Sequence, residues 1–120
     1  MWRTKITEEQ AAKIMAAGEI PPEMSSISSR VAVVLTQSWC PQWGAMDAYL
    51  SQMHDASSPE TADLTVFSLC YDLLPFSGDF TRFKETRFSN NQIPFVLYYR
   101  DGELKNTSNY VSVAGFGELF

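Results

Sequence analysis

Residues 39–43 (Trp-Cys-Pro-Gln-Trp) place a thiol immediately before a residue that suits the start of a helix. Pro41 is tolerated at the first helical position, because its missing N–H would have no partner there anyway. The Cys40 thiol would then face the unpaired N–H groups and the positive end of a helix dipole, which stabilise a thiolate. Only the thiolate attacks a disulfide or a peroxide, so this spacing favours redox chemistry at Cys40.

The alternative interpretation of Cys40 is a small buried thiol without reactivity, which is a common role for cysteine. Trp39 and Trp43 flank the thiol and would shield it from water, and loss of water disfavours the charged thiolate. Gln42 also has two interpretations. It donates a hydrogen bond to the sulfur, or it is an exposed residue of the first helical turn.

Cys70 is the second of the two cysteines and a candidate resolving thiol for Cys40. A disulfide needs Cα atoms within about 7 Å of each other, whereas Cys40 lies beyond the end of its predicted strand. We therefore expect the pair to be too far apart without backbone movement, and Cys70 to be a core residue of a buried strand. Two cysteines are too few for a structural zinc site, and redox chemistry at one thiol requires no metal or organic cofactor.

The composition is that of a folded chain with few basic residues. The 120 residues are 45% hydrophobic and 19% charged, with a net charge of −5, and this length suits one domain, residues 1–120. No cluster of Lys and Arg is present that could neutralise phosphates, which argues against nucleic-acid binding. The N-terminus lacks the apolar segment of a secretory signal and no run of about 18 apolar residues occurs, so we expect a cytoplasmic protein without membrane contact.

The elements that must position Cys40 follow from residue patterns on either side of it. Residues 31–37 form an apolar, β-branched run without alternation, which is typical of a strand covered on both faces. A helix is predicted from Pro41 to about Met53, followed by a polar exit loop over residues 54–60. The residues predicted to form the buried stripe of this helix are Ala45, Ala48, Tyr49, Gln52 and Met53.

Three further elements are predicted after this helix. Residues 64–71 alternate as a second buried strand, and residues 77–88 form a helix. Residues 93–100 and 103–109 are predicted to pair as a hairpin, because Asp101-Gly102 suits a tight turn.

The N-terminal part, residues 1–30, is predicted to hold one helix and an irregular connection. Thr7 and Gln10 have the spacing of a capping box at the start of a run of good helix formers, which Gly18 ends. Residues 19–30 contain adjacent prolines and several serines, which is typical of an irregular connection.

The core, residues 31–109, has the predicted order β-α-β-α-β-β. Crossover connections make the first two strands parallel, and the short turn makes the last pair antiparallel. Helices then cover both faces of a mixed sheet, and Cys40 lies just beyond the carboxyl end of a parallel strand, where functional residues of such sheets gather. In the C-terminal segment, residues 110–120, the last four residues resemble the start of a closing helix.

In order and spacing, residues 31–104 resemble the thioredoxin superfamily. Trp39 ends a strand similar to the family's central strand, residues 40–43 occupy the place of the Cys-x-x-Cys signature, and Ile93-Pro94 resembles the cis-proline strand. The resemblance implies an α/β, three-layer thioredoxin-like fold with a mixed sheet of four or five strands, helices on both faces and an incomplete last helix. It also implies that Cys40 is the catalytic residue. The residues that it implies as substrate-groove or supporting residues are Trp39, Pro41, Gln42, Trp43, Ile93 and Pro94.

Four positions depart from the thioredoxin pattern. Trp43 stands where a dithiol thioredoxin has its resolving cysteine, so no disulfide can form within the motif. Val34 and Ser68 stand where the family has a buried aspartate and a nearby lysine for proton transfer. Phe95 stands where threonine is common, although the resemblance still implies a cis bond before Pro94. We therefore do not expect ordinary dithiol reductase chemistry.

Two functions fit these residues. The first is a thioredoxin-like redox protein with monothiol oxidoreductase or thiol-peroxidase activity, in which Cys40 forms a mixed disulfide or a sulfenic acid that an external thiol resolves. Its partners would be a protein disulfide or a low-molecular-weight thiol such as glutathione. The alternative is a catalytically inactive thioredoxin-like module that binds a partner protein or peptide through Trp39, Trp43 and Phe95.

Overall fold

A five-stranded mixed sheet organises the chain in the computed structural model, which describes residues 1–120. The strands are β1 (Trp2–Lys5), β2 (Arg30–Thr36), β3 (Leu64–Cys70), β4 (Phe95–Arg100) and β5 (Glu103–Ser108). The helices are α1 (Glu8–Ala17), α2 (Pro22–Ser25), α3 (Pro41–Ala56), α4 (Ser77–Arg87) and α5 (Val113–Gly117). The spatial order of the strands is β1-β3-β2-β4-β5, so β1 and β5 form the two edges.

Strand β2 is the centre of the sheet, as its unbroken apolar run predicts. It pairs parallel with β3, with Thr36 opposite Cys70, and antiparallel with β4. Every residue of β2 after Arg30 is buried, because helices cover both faces of the sheet. Since Cys40 follows this strand, the thiol emerges at the middle of the sheet's carboxyl edge.

The sheet separates two hydrophobic clusters, so the molecule has three layers. Helices α1, α2 and α4 cover one face, and α3 and α5 cover the other. Side chains of β3 alternate between the clusters as predicted, because successive strand residues point to opposite faces. Phe67 and Leu69 lie in the first cluster, and Leu64 and Val66 lie in the second.

The sequence pattern does not predict β1 or α2. Strand β1 pairs parallel with β3, and its four residues are exposed or only partly buried. So short a strand has no apolar run that a pattern could detect. Helix α2 begins at Pro22, which suits a first helical turn, within the connection 19–30 that was expected to be irregular. Helix α1 is confirmed, with a capping box at Thr7 and a left-handed Gly18 at its end.

Helix α3 continues beyond the predicted end at Met53, so the expected polar exit loop begins inside its last turn. The predicted buried stripe is confirmed only in part: Tyr49 and Met53 pack partly buried against the cluster, whereas the other three residues, Ala45, Ala48 and Gln52, are exposed. The buried residues of the helix are Trp43, Met46 and Leu50. These three residues are three and four positions apart and lie on one face of the helix, so that face packs against the sheet.

Strands β4 and β5 form the predicted hairpin. Asp101 and Gly102 have positive φ angles of 53° and 80°, the conformation whose twist matches that of the paired strands. A Cβ atom at Gly102 would clash with Ser26 Oγ, so this position also requires glycine because of a close approach. Helix α4 agrees with its predicted range to within one residue.

The C-terminal residues pack on the sheet through aromatic rings. Helix α5 lies ahead of the helix start predicted within residues 117–120, and its Phe116 is fully buried. The rings of Phe116 and Phe120 lie 5.6 and 5.2 Å from the ring of Tyr98. No helix in the chain combines the length and the apolar character that crossing a membrane requires.

Candidate active site

Cys40 is the N-cap residue of α3. The chain leaves β2 and turns before the helix starts at Pro41. The Cys40 N–H donates to the carbonyl of Gln37 at 3.2 Å, and the Cys40 carbonyl accepts from the N–H of Gly44 at 3.1 Å. The Cys40 side chain makes no capping hydrogen bond, so the N–H groups of the first turn are left without a side-chain partner. Such a helix N-terminus stabilises negative charge.

The Cys40 side chain is held against the start of β4. Cys40 is only 7% exposed, and its Sγ donates to the carbonyl of Ile93 at 3.8 Å. The Ile93–Pro94 peptide bond is cis. Ile93 lies 53 residues along the chain from Cys40, and the pairing of β2 with β4 brings the two together. The structure therefore brings the Cys40 thiol beside Ile93 and the cis bond to Pro94.

The turn before Cys40 is fixed by Asp72, a residue that sequence analysis does not single out. Asp72 lies in a short 3₁₀ turn that follows β3. Its carboxylate accepts hydrogen bonds from the N–H of Ser38 at 2.8 Å and from the Ser38 hydroxyl at 2.6 Å. The signal available in the sequence is position, because Asp72 follows the strand next to β2 at the same edge as Cys40.

Trp39 is the exposed aromatic side chain of the site, with 67% of its surface accessible. Its indole Nε1 donates to Oε1 of Gln37 at 2.7 Å, and Gln37 Nε2 donates to the hydroxyl of Tyr71 at 3.4 Å. Leu73, in the turn that contains Asp72, is 72% exposed. Two large apolar side chains are therefore accessible to solvent at the edge of the sheet that holds Cys40.

Trp43 and Phe95 do not share that exposed surface, because both are buried. Trp43 packs in the cluster beneath α3, and Phe95 packs in the cluster on the opposite face of the sheet. The predicted docking surface of Trp39, Trp43 and Phe95 is therefore wrong. Of the three, only Trp39 can meet a partner directly.

The first turn of α3 presents two polar or small side chains to solvent. Pro41 is the first helical residue and Gln42 follows it, and both are exposed. The hydrogen bond of the Cys40 sulfur goes to the Ile93 carbonyl and not to Gln42.

Cys70 is a free thiol at the end of β3, and Cys40 is free as well. Cys70 lines an open cavity of about 520 Å³ beside α3, together with Trp43 and Asp47. Burial raises the pKa of the Cys70 thiol, and the negative charge of Asp72 adds to this effect. Cys70 is therefore held in the protonated form at neutral pH, which is the less reactive form.

Val34 and Ser68 are direct partners in the pairing of β2 with β3. Both side chains point to the sheet face that α3 covers. Neither is a carboxylate or an amine, so this pair cannot exchange a proton with Cys40 in the way that an aspartate or a lysine could.

No family model and no curated protein matches the sequence. Thioredoxin O1 from Arabidopsis thaliana in its oxidized state is similar in structure, with a TM-score of 0.67 at 12% identity over 99% of this chain and 95% of that chain. Trxlp from Edwardsiella tarda EIB202 has a TM-score of 0.59 at 20% identity over 80% of this chain and 85% of that chain. The fold is thioredoxin-like.

A further thioredoxin-like neighbour is thioredoxin O2 from Arabidopsis thaliana in its oxidized state, with a TM-score of 0.64 at 11% identity over 96% of this chain and 88% of that chain. These likenesses concern the fold. In this chain the residue at the N-terminus of α3 is Cys40, and the buried Trp43 lies one turn further along the helix.

Proposed function

We propose that this protein is a single-thiol redox protein in which Cys40 exchanges with disulfides or is oxidised by a peroxide. The observation that supports this proposal is one free thiol at the N-terminus of α3, placed against Ile93, with Trp43 where a second motif thiol would stand. A helix N-terminus stabilises the thiolate that attacks sulfur. Because the motif has no second thiol, the covalent intermediate must be resolved by a thiol from another molecule.

The exchange with a disulfide has two steps. The Cys40 thiolate attacks one sulfur, forms a mixed disulfide and displaces the other sulfur as a thiolate, which takes a proton from solvent. The thiolate of an external thiol such as glutathione then attacks the mixed disulfide and releases Cys40. With a peroxide, Cys40 becomes a sulfenic acid while the other oxygen leaves as an alcohol or water, and the external thiol condenses with the sulfenic acid and releases water.

The residues around Cys40 have separate roles in this proposal. Pro41 starts the helix whose N-terminus lies at the thiol, and Trp39 contacts the substrate through its exposed ring. The backbone of Ile93 lies beside the sulfur, where an extended segment of a protein substrate would pair with it. The partners are protein disulfides and low-molecular-weight thiols such as glutathione. A reducing compartment such as the cytoplasm supplies that thiol.

Mixed-disulfide formation with glutathione disulfide tests the proposal. The reduced protein and its two single-thiol variants, Cys40→Ser and Cys70→Ser, are followed by intact-mass spectrometry. We expect one glutathione adduct on the wild type and on Cys70→Ser, and a rate at least about tenfold lower on Cys40→Ser, because burial keeps the Cys70 thiol protonated. Added reduced glutathione should remove the adduct. Adduct formation at the wild-type rate in Cys40→Ser would overturn the assignment of Cys40.

A second candidate function, a partner-binding module, is supported by the exposed side chains of Trp39 and Leu73 on neighbouring turns. Large exposed aromatic side chains often anchor protein interfaces. A partner bound in this way is retained by Cys40→Ser and lost by Trp39→Ala in a pull-down under reducing conditions. A partner held by a mixed disulfide is captured only when the pull-down is done without reductant, is lost in Cys40→Ser, and is released by a reductant.

A further inference from the structure

Lys84 is fully buried, which is rare for lysine and requires compensating contacts. Its Nζ donates to the carbonyl of Gln92 and, at 3.3 Å, to Oδ1 of Asn90. The same Nζ lies 5.3 Å from the centre of the Phe95 ring. Asn90 and Gln92 belong to the segment that leads from α4 into β4, and Phe95 is the first residue of β4, so a buried ammonium group anchors that segment.

Asn90 and Asn109 extend the anchor to the other side of the segment. Asn90 Oδ1 accepts from the N–H of Gln92 at 2.9 Å, and Asn90 Nδ2 donates to Oδ1 of Asn109 at 3.0 Å. Asn109 Nδ2 donates to the carbonyl of Pro94 at 3.0 Å. The carbonyls of Gln92 and Pro94, one on each side of Ile93, are therefore both fixed by side chains.

The residue between these two fixed carbonyls is the one that contacts the thiol. Cys40 Sγ donates to the carbonyl of Ile93 at 3.8 Å. Because each peptide unit is planar, holding Gln92 and Pro94 leaves the backbone of Ile93 little freedom to move relative to the sulfur. Hydrogen bonds from α4 and from the residue after β5 thereby determine the position of the backbone beside Cys40.

We infer that Lys84, Asn90 and Asn109 are positioning residues of the Cys40 site, which hold the Ile93 backbone where an extended peptide substrate pairs beside the thiol. This inference rests on the proposed redox function. None of the three side chains bonds to the sulfur, so their effect falls on substrates that use the Ile93 backbone. A small reagent that needs only the thiol is not affected, because it requires no such alignment.

The charge of Lys84 is compatible with this role at neutral pH. Burial lowers the pKa of its ammonium group to about 8, and Glu85, the next residue of α4, opposes the shift. Lys84 therefore still carries its proton at pH 7 and remains a donor to both of its partners.

The test compares two reactions of Cys40 in the full chain carrying Cys70→Ser. One is exchange with a peptide whose cysteine is joined to 5-thio-2-nitrobenzoate, followed by the colour of the released thiolate, and the other is alkylation by iodoacetamide. Asn109→Ala removes one anchor of the segment. Asn106→Ala is the matched control, because Asn106 also donates to a backbone carbonyl, that of Leu119 at 2.8 Å, outside the network.

We expect Asn109→Ala to lower the peptide rate about tenfold and to leave the iodoacetamide rate within about twofold, because only the peptide needs the aligned backbone. Asn106→Ala should change neither rate. Lys84→Met should resemble Asn109→Ala, and thermal unfolding checks that each variant is folded at the assay temperature. If Lys84→Met does not fold, Asn109→Ala decides the question alone.

Two outcomes would contradict the positioning role alone, and a third would contradict the proposed redox function. Equal peptide rates in Asn109→Ala and Asn106→Ala would overturn the positioning role. A parallel fall of both reactions in Asn109→Ala would also overturn it, since that result indicates a general loosening of the fold. A Cys70→Ser parent protein that does not react with the peptide at all would overturn the proposed redox function, and the positioning role with it.

Discussion

Among single residues, Asp72 holds the backbone turn that leads into Cys40, although its own hydrogen bonds are with Ser38. Its carboxylate accepts two hydrogen bonds from Ser38, one from the backbone and one from the hydroxyl. Ser38 lies in the turn that joins β2 to α3, so these bonds attach that turn to the neighbouring strand β3. Hydrogen bonds to a carboxylate are stronger than those between neutral groups, and here they restrict the backbone that leads into Cys40.

Replacing Asp72 by alanine should destabilise the protein by about 1 to 2 kcal/mol, because two hydrogen bonds to a partly exposed carboxylate are lost. Urea unfolding measures the change. Asp72→Asn keeps an acceptor oxygen and should lose less. Asp79→Ala is the matched control, since Asp79 is an exposed carboxylate paired only with Arg82 on α4, and its loss should stay within about 0.5 kcal/mol. Equal losses in the two alanine variants would mean that the Ser38 contacts do not fix the turn.

Among the elements, the sequence predicts the strands buried on both faces and the hairpin, and misses the edge strand β1. β2 and β3 are apolar runs, and the β4–β5 hairpin has the Asp101-Gly102 turn, so each carries a local signal. β1 is short and mostly polar, and it forms a strand because β3 offers a free edge for parallel pairing. The availability of that edge is a property of the folded chain and leaves no mark in a local pattern.

In the candidate site too, the sequence predicts the local feature and misses the contacts between distant segments. The adjacency of Cys40 and Pro41 predicts a thiol at a helix N-terminus from two neighbouring residues. The bond from Cys40 to Ile93 spans 53 residues, and the bond from Asn109 to Pro94 spans 15 residues. No spacing rule within one segment predicts such contacts, because the pairing of strands creates them.

Alanine substitutions at two glycines are expected to change the stability of the protein in opposite directions. Gly102 has a φ of 80°, and a Cβ there would clash with Ser26 Oγ, so Gly102→Ala should destabilise the protein by about 1 to 2 kcal/mol. A Cβ at Gly44, inside α3, meets no atom within 4 Å, so Gly44→Ala should stabilise it by about 0.5 to 1 kcal/mol. Thermal unfolding measures both. A change of the same sign in both variants would contradict this account of the backbone.

For the whole molecule, buried ionisable groups determine how stability responds to alkaline pH. Burial lowers the pKa of Lys84 to about 8 and raises the pKa of Tyr99 to about 12. In unfolded chains these groups titrate near about 10.4 and about 10. Burial disfavours the protonated form of Lys84 in the folded state, which lowers the free energy of unfolding. This destabilisation is fully present below about pH 8 and disappears as the pH rises towards about 10.4, where the unfolded chain loses the same proton. Tyr99 acts in the opposite direction, because the unfolded state loses its proton first above about pH 10.

We therefore expect the free energy of unfolding of the wild type to rise relative to that of Lys84→Met between about pH 8 and about pH 10, by on the order of 1 kcal/mol. Only the wild type is relieved of the cost of a buried ammonium group in this range. Urea unfolding of both proteins across these pH values measures the difference. Lys105→Met removes an exposed lysine and is the control, which should follow the wild type. Parallel pH curves for the wild type and Lys84→Met would contradict the lowered pKa.

Cys40 lies where β2, β3 and β4 come together, so its thiol can be used as a probe of how the protein opens. The loop before it is tied to the end of β3 by Asp72, and its sulfur rests on Ile93 at the start of β4. Fraying of the first turn of α3 exposes the thiol at a rate that hardly depends on denaturant, whereas separation of the strands exposes it with a steep dependence. In Cys70→Ser, alkylation of the remaining thiol, Cys40, at increasing urea concentrations therefore distinguishes local opening from global unfolding, with no dye or isotope attached to the chain.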